Sequence, residues 1–216
     1  MKVALFDLDH TLIEGDSDVL WMQRVAKQGR VDAAPLAGFF RDYDAGTLDI
    51  AAYYAYTLAV FRGGRLADFA AELEAFLHEE LVPILRPTVV ARLEEERTAG
   101  AVCALVTATG EVASRGIAQL LGFDAHIATR HGRHAGRFDG SVCGTPAFRA
   151  GKTERVEAWL RGRGTKLDDL LDSSYFGDSR NDRFLMERVR RPVAVGPDET
   201  LRALASERGW EILEIR

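Results

Sequence analysis

Four short apolar runs, each stopped by polar or glycine-rich residues, set the rhythm of this chain. Val3 to Phe6 run unbroken into Asp7; Ala101 to Gly110 (AVCALVTATG) end in small hydroxyl residues; Tyr175 and Phe176 give way to GDSRND; and Pro192 to Gly196 form the last run. Runs of this length bounded by turn signals read as strands buried on both faces. Between them lie segments with helical spacing: TVVARLEEERTAG before the second run, EVASRGIAQLLG after it with Gly122 as its stop, TERVEAWLRGRG before the third and DRFLMERVR before the fourth. Strands alternating with helices need crossover connections. The fold class expected is therefore α/β, a Rossmann-like parallel sheet with helices on both faces. Ligands of such sheets bind at the carboxyl ends of the strands, which is where Asp7, Thr107 and Asp178 fall.

One stretch breaks the alternation. From about Asp16 to Pro83 the chain has helical patterns and aromatics but no convincing strand, and it reads as a helical domain inserted after the first strand. This divides the chain into a catalytic core of residues 1–15 and 84–216 and a helical cap of residues 16–83, with hinges near Gly15 and at Pro83 to Pro87. Its aromatics, Phe39, Phe40, Tyr43, Tyr53, Tyr54, Tyr56, Phe61, Phe69 and Phe76, are expected mostly to pack the cap's own core, with one or two left to face a substrate. In the core, HIATRHGRHAGRFDGSV reads as an edge hairpin carrying His126, His131 and His134 as exposed side chains rather than a metal site.

Composition narrows the classes. Apolar residues at 47% and charged residues at 28% suit a globular domain, and the net charge of −5 argues against a phosphate-backbone binder, so nucleic acid is not an expected partner. No basic leader and no bilayer-length apolar stretch is seen, giving an expectation of a cytoplasmic protein without a membrane partner. Cys103 and Cys143 stand apart without CxxC spacing and read as reduced, structural thiols.

The chemistry begins at Asp7-Leu8-Asp9-His10-Thr11, where two carboxylates two residues apart in extended chain point to one side. Their repulsion asks for a hard divalent cation, and Mg²⁺ suits a site that also holds phosphate. One carboxylate can then act as a covalent nucleophile and the other as acid and base. Later segments supply the remaining parts. Thr107 and the N–H groups that follow, from Ala108 onward, can donate to phosphate oxygens; Lys152 offers a fixed positive charge; Asp178 adds an anionic oxygen; and Asp182 is spaced to hold a metal-bound water or orient Lys152. His10 and Ser179 either shape the site or pack a turn, while Arg149 and Arg180 read as solvated or salt-bridged.

In order and context, DLDHT, VTATG, GKTERV and GDSRND resemble the haloacid dehalogenase superfamily of phosphohydrolases, and the helical insertion resembles the cap of its phosphoserine phosphatase branch. The resemblance implies Asp7 as nucleophile, Asp9 as general acid and base and a metal ligand through its main-chain carbonyl, Thr107 on the phosphate, and Lys152 as counter-charge. It also implies Asp178 on Mg²⁺, with Asn181 and Asp182 supporting metal and phosphate. The chain departs from that branch where a glutamate and a cap arginine would hold phosphoserine: an ungapped alignment puts Asp16 and Thr57 there. Threonine cannot replace a bidentate guanidinium. The expected substrate is thus a phosphorylated amine or alcohol without the carboxylate, such as histidinol phosphate. Asp16 would then face its cation or, alternatively, cap the first cap helix. Phosphoserine is the second choice, and a phosphomutase, a phosphotransferase or a non-catalytic phosphate sensor are more distant ones. The expected assembly is a monomer or a homodimer.

Overall fold

The computed structural model describes residues 1–215. Its sheet has six parallel strands in the order β3-β2-β1-β6-β7-β8. These are β1 (Lys2–Phe6), β2 (Val102–Gly110), β3 (Ala125–Thr129), β6 (Asp172–Gly177), β7 (Arg191–Val195) and β8 (Glu211–Leu213). The remaining pair, β4 (His131–His134) and β5 (Arg137–Val142), forms a separate antiparallel hairpin. Alternate residues of the central strands feed two cores. Ala4, Phe6, Cys103, Leu105 and Phe176 face one, and Val3, Leu5, Ala104, Val106 and Tyr175 the other. A strand buried on both sides has no polar face to show, which is why β1 reads as a continuous apolar run. The first core is completed by α5 (Pro87–Thr98) and α6 (Glu111–Leu120), the second by α7 (Ala150–Arg161) and α9 (Glu199–Arg208). The four expected strands are all present. The helix expected in DRFLMERVR is the single turn α8 (Arg183–Met186).

Strand order reverses between β1 and β6, so the loops leaving them diverge and open a crevice at their carboxyl ends. Asp7 is anchored there by its N–H, which donates to the Phe176 carbonyl at 2.9 Å. Between β1 and β2 the chain is helical, with α1 (Ser17–Lys27), α2 (Ala34–Ala45), α3 (Ile50–Thr57) and α4 (Ala70–Phe76). Trp21 stacks on Phe61 at 5.5 Å and meets Phe76 edge-on at 5.2 Å, and this packing continues into the core on the α6 side of the sheet. The two strands of chain that lead in and out lie side by side: Ile13 bridges Leu85, and the Glu14 N–H donates to the Ile84 carbonyl.

Three expectations need correction. The histidine-rich stretch is not one hairpin, because Ala125–Thr129 joins the main sheet as a parallel strand before the hairpin begins. Its histidines are not all exposed: His131 is buried against Phe61 and Phe138, and His126 pairs with the Ser114 hydroxyl at 2.8 Å. Only Cys103 of the two free thiols is a buried one. Among the described residues, no helix is long and apolar enough to cross a membrane.

Candidate active site

Asp7 directly follows β1 with its own Oδ1 accepting the Leu8 N–H at 2.8 Å, and the chain then turns sharply through His10, whose φ is +56°. That turn separates the two carboxylates of DLDHT. Asp7 joins Asp178 and Asp182 in a group whose carboxylate oxygens lie within 4.8 Å of one another. The Asp9 carboxylate turns the other way, with Oδ1 accepting from the Ser17 N–H (2.7 Å) and hydroxyl (2.6 Å) and Oδ2 from the Thr109 hydroxyl (2.6 Å). The side chain of Asp9 is therefore not in the acidic group, and the metal contact expected of this residue is one of its main-chain carbonyl.

Lys152, in the first turn of α7, reaches Asp7 Oδ1 at 2.9 Å and Asp182 Oδ1 at 2.6 Å. The Tyr175 hydroxyl donates to the same Asp182 oxygen at 2.6 Å, and Asp182 Oδ2 accepts from the Ser179 N–H at 3.3 Å. Burial works against the charge on Lys152, but Asp182 and Asp7 outweigh it and raise its pKa. One ammonium cannot satisfy two buried acids and the half-buried Asp178. Burial pushes the Asp7 carboxyl well above the carboxylate range, with Lys152 opposing and Asp182 adding to the rise. Asp178 is raised by burial and then by Asp182 and Asp7, with Lys152 and then the Thr11 hydroxyl, donating at 3.1 Å, opposing the rise. A further cation would relieve this repulsion, and an all-oxygen donor set fits a hard divalent ion.

Over this group opens a cavity of about 350 Å³. Its floor carries Asp7, Asp9, Lys152, Asp178 and Asn181, and its wall is aromatic, built by Phe39, Phe40, Tyr43, Tyr53 and Tyr54 from α2 and α3. Five of the nine insert phenylalanines and tyrosines thus line the cavity, a larger share than the one or two expected. The reason is that α2 and α3 turn one face over the strand ends, and sequence periodicity says which residues share a face but not what covers it. Asp16 serves as the N-cap of α1, accepting the Val19 N–H at 2.9 Å, and also lines the cavity; burial and Asp9 raise its pKa to about 7. Thr57 lies outside the cavity lining, buried with its hydroxyl unpartnered. Thr107 is wholly buried and accepts the Thr109 N–H at 3.1 Å, while Ala108 and Thr109 line the cavity.

The two arginines join the insert to the loop after β6 rather than facing solvent. Arg180 donates to the Tyr43 carbonyl and, at 2.8 Å, to the Asp44 carbonyl; Arg149 donates to Asn181 Oδ1 at 2.9 Å and to the Gly46 carbonyl at 3.3 Å. Ser17, Asp18, Thr109 and Tyr175 were not read from the sequence as site residues. The paired hydroxyls of VTATG and the DSD run of residues 16–18 were the available signals.

Residues 4–187 match the family model described as haloacid dehalogenase-like hydrolase, which spans both the motif residues and the helical insertion. The chain belongs to the haloacid dehalogenase-like hydrolases. Within that family it is 35% identical over its whole length to a histidinol-phosphatase of Neisseria meningitidis serogroup C, covering 99% of that protein. It is 29% identical over 220 residues to a phosphoserine phosphatase of Mycobacterium tuberculosis, covering 70% of it. A crystal structure of a protein of unknown function from Bordetella pertussis is similar at a TM-score of 0.91, with 37% identity and 98% and 97% of the two chains covered. A substrate-bound phosphoserine phosphatase shares the fold at a TM-score of 0.67 and 18% identity, with 98% and 92% covered. This haloacid dehalogenase-like hydrolase is a phosphatase, a phosphoric monoester hydrolase.

Proposed function

We propose that this phosphatase hydrolyses a small phosphate monoester bearing a protonated nitrogen, of the histidinol phosphate type, through an aspartyl-phosphate formed on Asp7. The observation that carries the reading is the pairing of Lys152 with Asp7 at the floor of an aromatic cavity that offers acids, not guanidinium groups, to the rest of the substrate. Among the described residues, no arginine lines the cavity, and its one lysine, Lys152, is already shared by Asp7 and Asp182. The carboxylate of phosphoserine would meet Asp16 and Asp18 there, whereas an ammonium or imidazolium would be attracted. The whole-length similarity to a histidinol-phosphatase supports the same choice.

In this reading an oxygen of Asp7 attacks phosphorus as the ester P–O bond breaks, and Asp9 gives a proton to the departing alkoxide. Asp9, held by Ser17 and Thr109, then takes a proton from the water that attacks the aspartyl-phosphate, releasing inorganic phosphate and restoring Asp7. Lys152 lies against Asp7 and stabilises charge on the transferring group, Asp182 and Tyr175 fix its position, and the Ala108 main chain and Asn181 hold phosphate oxygens, while Thr107, expected from the sequence to touch the phosphate, is buried outside the cavity lining and braces the turn by accepting the Thr109 N–H. Mg²⁺ would be held by Asp7, Asp178 and Asp182 with the Asp9 carbonyl, and it would supply positive charge against the phosphate oxygens. The helical segment 16–83 is the lid that excludes bulk water.

The test is a phosphate-release screen over histidinol phosphate, phosphoserine, phosphorylated sugars and p-nitrophenyl phosphate, with Mg²⁺ and again with EDTA. Histidinol phosphate should give the highest kcat/KM, and EDTA should abolish turnover. A preference for phosphoserine would overturn the substrate assignment, and turnover in EDTA the metal assignment.

A further inference from the structure

Three carboxylates of the insert's entry segment and the turn before it, Asp9, Asp16 and Asp18, lie along one side of the cavity, and they are not equally engaged. Asp9 is held by three donors, and Asp16 has one oxygen committed to capping α1. Asp18, in the first turn of the same helix, is 6% exposed and makes no ion pair among the described residues. It accepts from the Gly110 main chain and, at a long 3.5 Å, from the Tyr53 hydroxyl. A carboxylate has about four acceptor sites, so capacity remains on its cavity side.

A buried acid without a cation is costly, and such a group persists where a ligand completes it. Burial, Asp16 and Asp9 all push the Asp18 carboxyl well above its usual range, so a cation entering the cavity would restore its charge. Tyr53 stands over it, and the Tyr53 ring meets Phe39 edge-on at 5.5 Å, so an aromatic surface adjoins the acid. Aromatic faces attract protonated nitrogen and stack on planar groups.

We propose that Asp18, with Tyr53 beside it, is the residue that selects the substrate by binding its protonated nitrogen, while Asp16 chiefly fixes the start of α1. The class of ligand is an amino-alcohol phosphate whose planar or apolar part lies against Phe39 and Tyr53. This inference rests on the phosphatase reading above but makes a separable claim about recognition.

Asp18→Asn keeps the shape and removes the charge. Measured against histidinol phosphate, its des-amino analogue and p-nitrophenyl phosphate, it should lower kcat/KM for the first at least about tenfold more than for the third, mainly through KM, the scale of one lost charge-assisted hydrogen bond. Tyr53→Phe should shift selectivity the same way by a smaller factor. Equal losses on all three esters, or no selective loss, would overturn the assignment. If Asp18→Asn does not fold, the wild-type enzyme decides: less than about threefold discrimination between the amino and des-amino esters, well short of a charged hydrogen bond, counts against the proposal. Cleavage of p-nitrophenyl phosphate alongside such poor discrimination removes the recognition claim and leaves the phosphatase reading standing. Failure on every ester removes both.

Discussion

Lys152 sets its ammonium 2.9 Å from Asp7 Oδ1, and the same nitrogen is 2.6 Å from Asp182. A cation wedged between two buried acids stabilises them, and in the proposed mechanism it aims positive charge at the attacking carboxylate. Replacing it should therefore affect folding and turnover together. Lys152→Ala is expected to lower kcat by roughly 10²- to 10³-fold, the scale of a lost electrostatic contact to the transition state. It should also cost about 3–5 kcal/mol of stability, because the acids are left unpaired. Urea unfolding beside p-nitrophenyl phosphate turnover checks both. A variant with normal kcat would remove Lys152 from the chemistry.

Asp7 is the nucleophile assigned here, so Asp7→Asn should reduce turnover by at least about 10³-fold, as expected when a nucleophile is lost. Borohydride added to an acid-quenched single turnover should reduce the aspartyl-phosphate and convert Asp7 to homoserine, detectable by mass spectrometry of its peptide. No homoserine at Asp7 during rapid turnover would indicate direct attack by water.

The carboxylate of Asp9 owes its direction to residues far away in sequence. Thr109 Oγ1 donates to it at 2.6 Å across 100 positions, and the Ser17 hydroxyl lies 3.0 Å from that of Thr109. Thr109→Val should leave KM nearly unchanged and lower kcat about 10- to 100-fold, part of the 10²–10⁴ a positioned acid supplies, while Thr109→Ser should recover most of it. A serine variant as impaired as valine would mean that packing, not the hydrogen bond, is what matters.

These contacts mark the limit of what the chain discloses in its linear form. Asp7, Lys152 and Asp178 were legible because each lies at the end of an apolar run or the start of a helix, where local pattern fixes the location. The parallel sheet followed from the same alternation. Ser17, Thr109 and Asp18 were not legible as a set, since they meet only after α1 docks beside the end of β2. Tyr175 looked like one more apolar strand residue, yet its hydroxyl holds Asp182. Strand β8 is three residues long and too short to carry an alternation signal. Which aromatics line the cavity depended on the docking of α2 and α3, a tertiary fact absent from their spacing.

Arg180 couples the insert to the loop that carries Asp178. Its guanidinium donates to the Tyr43 and Asp44 carbonyls at the end of α2, where the helix dipole favours positive charge. Arg180→Ala should loosen this end of the insert and raise KM about three- to tenfold, consistent with losing charge-assisted bonds that are partly exposed. Amide exchange across residues 43–47 should accelerate in the variant. Unchanged exchange there would show that the insert is held by its aromatic packing alone.

The last prediction concerns acid stability and rests on His131. It is buried between Phe61 and Phe138, and neither ring nitrogen has a hydrogen-bond partner. Burial, with Arg133 adding to it, lowers its pKa to about 4. In the unfolded chain the same group titrates near 6.5, so between pH 6.5 and 4 the unfolded state binds a proton that the folded state refuses. Stability then rises with pH across that window and is fully present above it. Moving from 6.5 to about 4 is worth about 3 kcal/mol at most. His126, lowered to about 4 chiefly by burial, acts in the same direction. His131→Leu should flatten the acid limb by up to about that amount while leaving the alkaline limb unmoved, read as the unfolding midpoint in urea at pH 5 against pH 8. An acid limb as steep as in the parent protein would mean that His131 is protonated in the folded state and finds a partner there, with Glu111, whose carboxylate accepts the main-chain N–H of His131 at 3.2 Å, a neighbouring acid that could supply one.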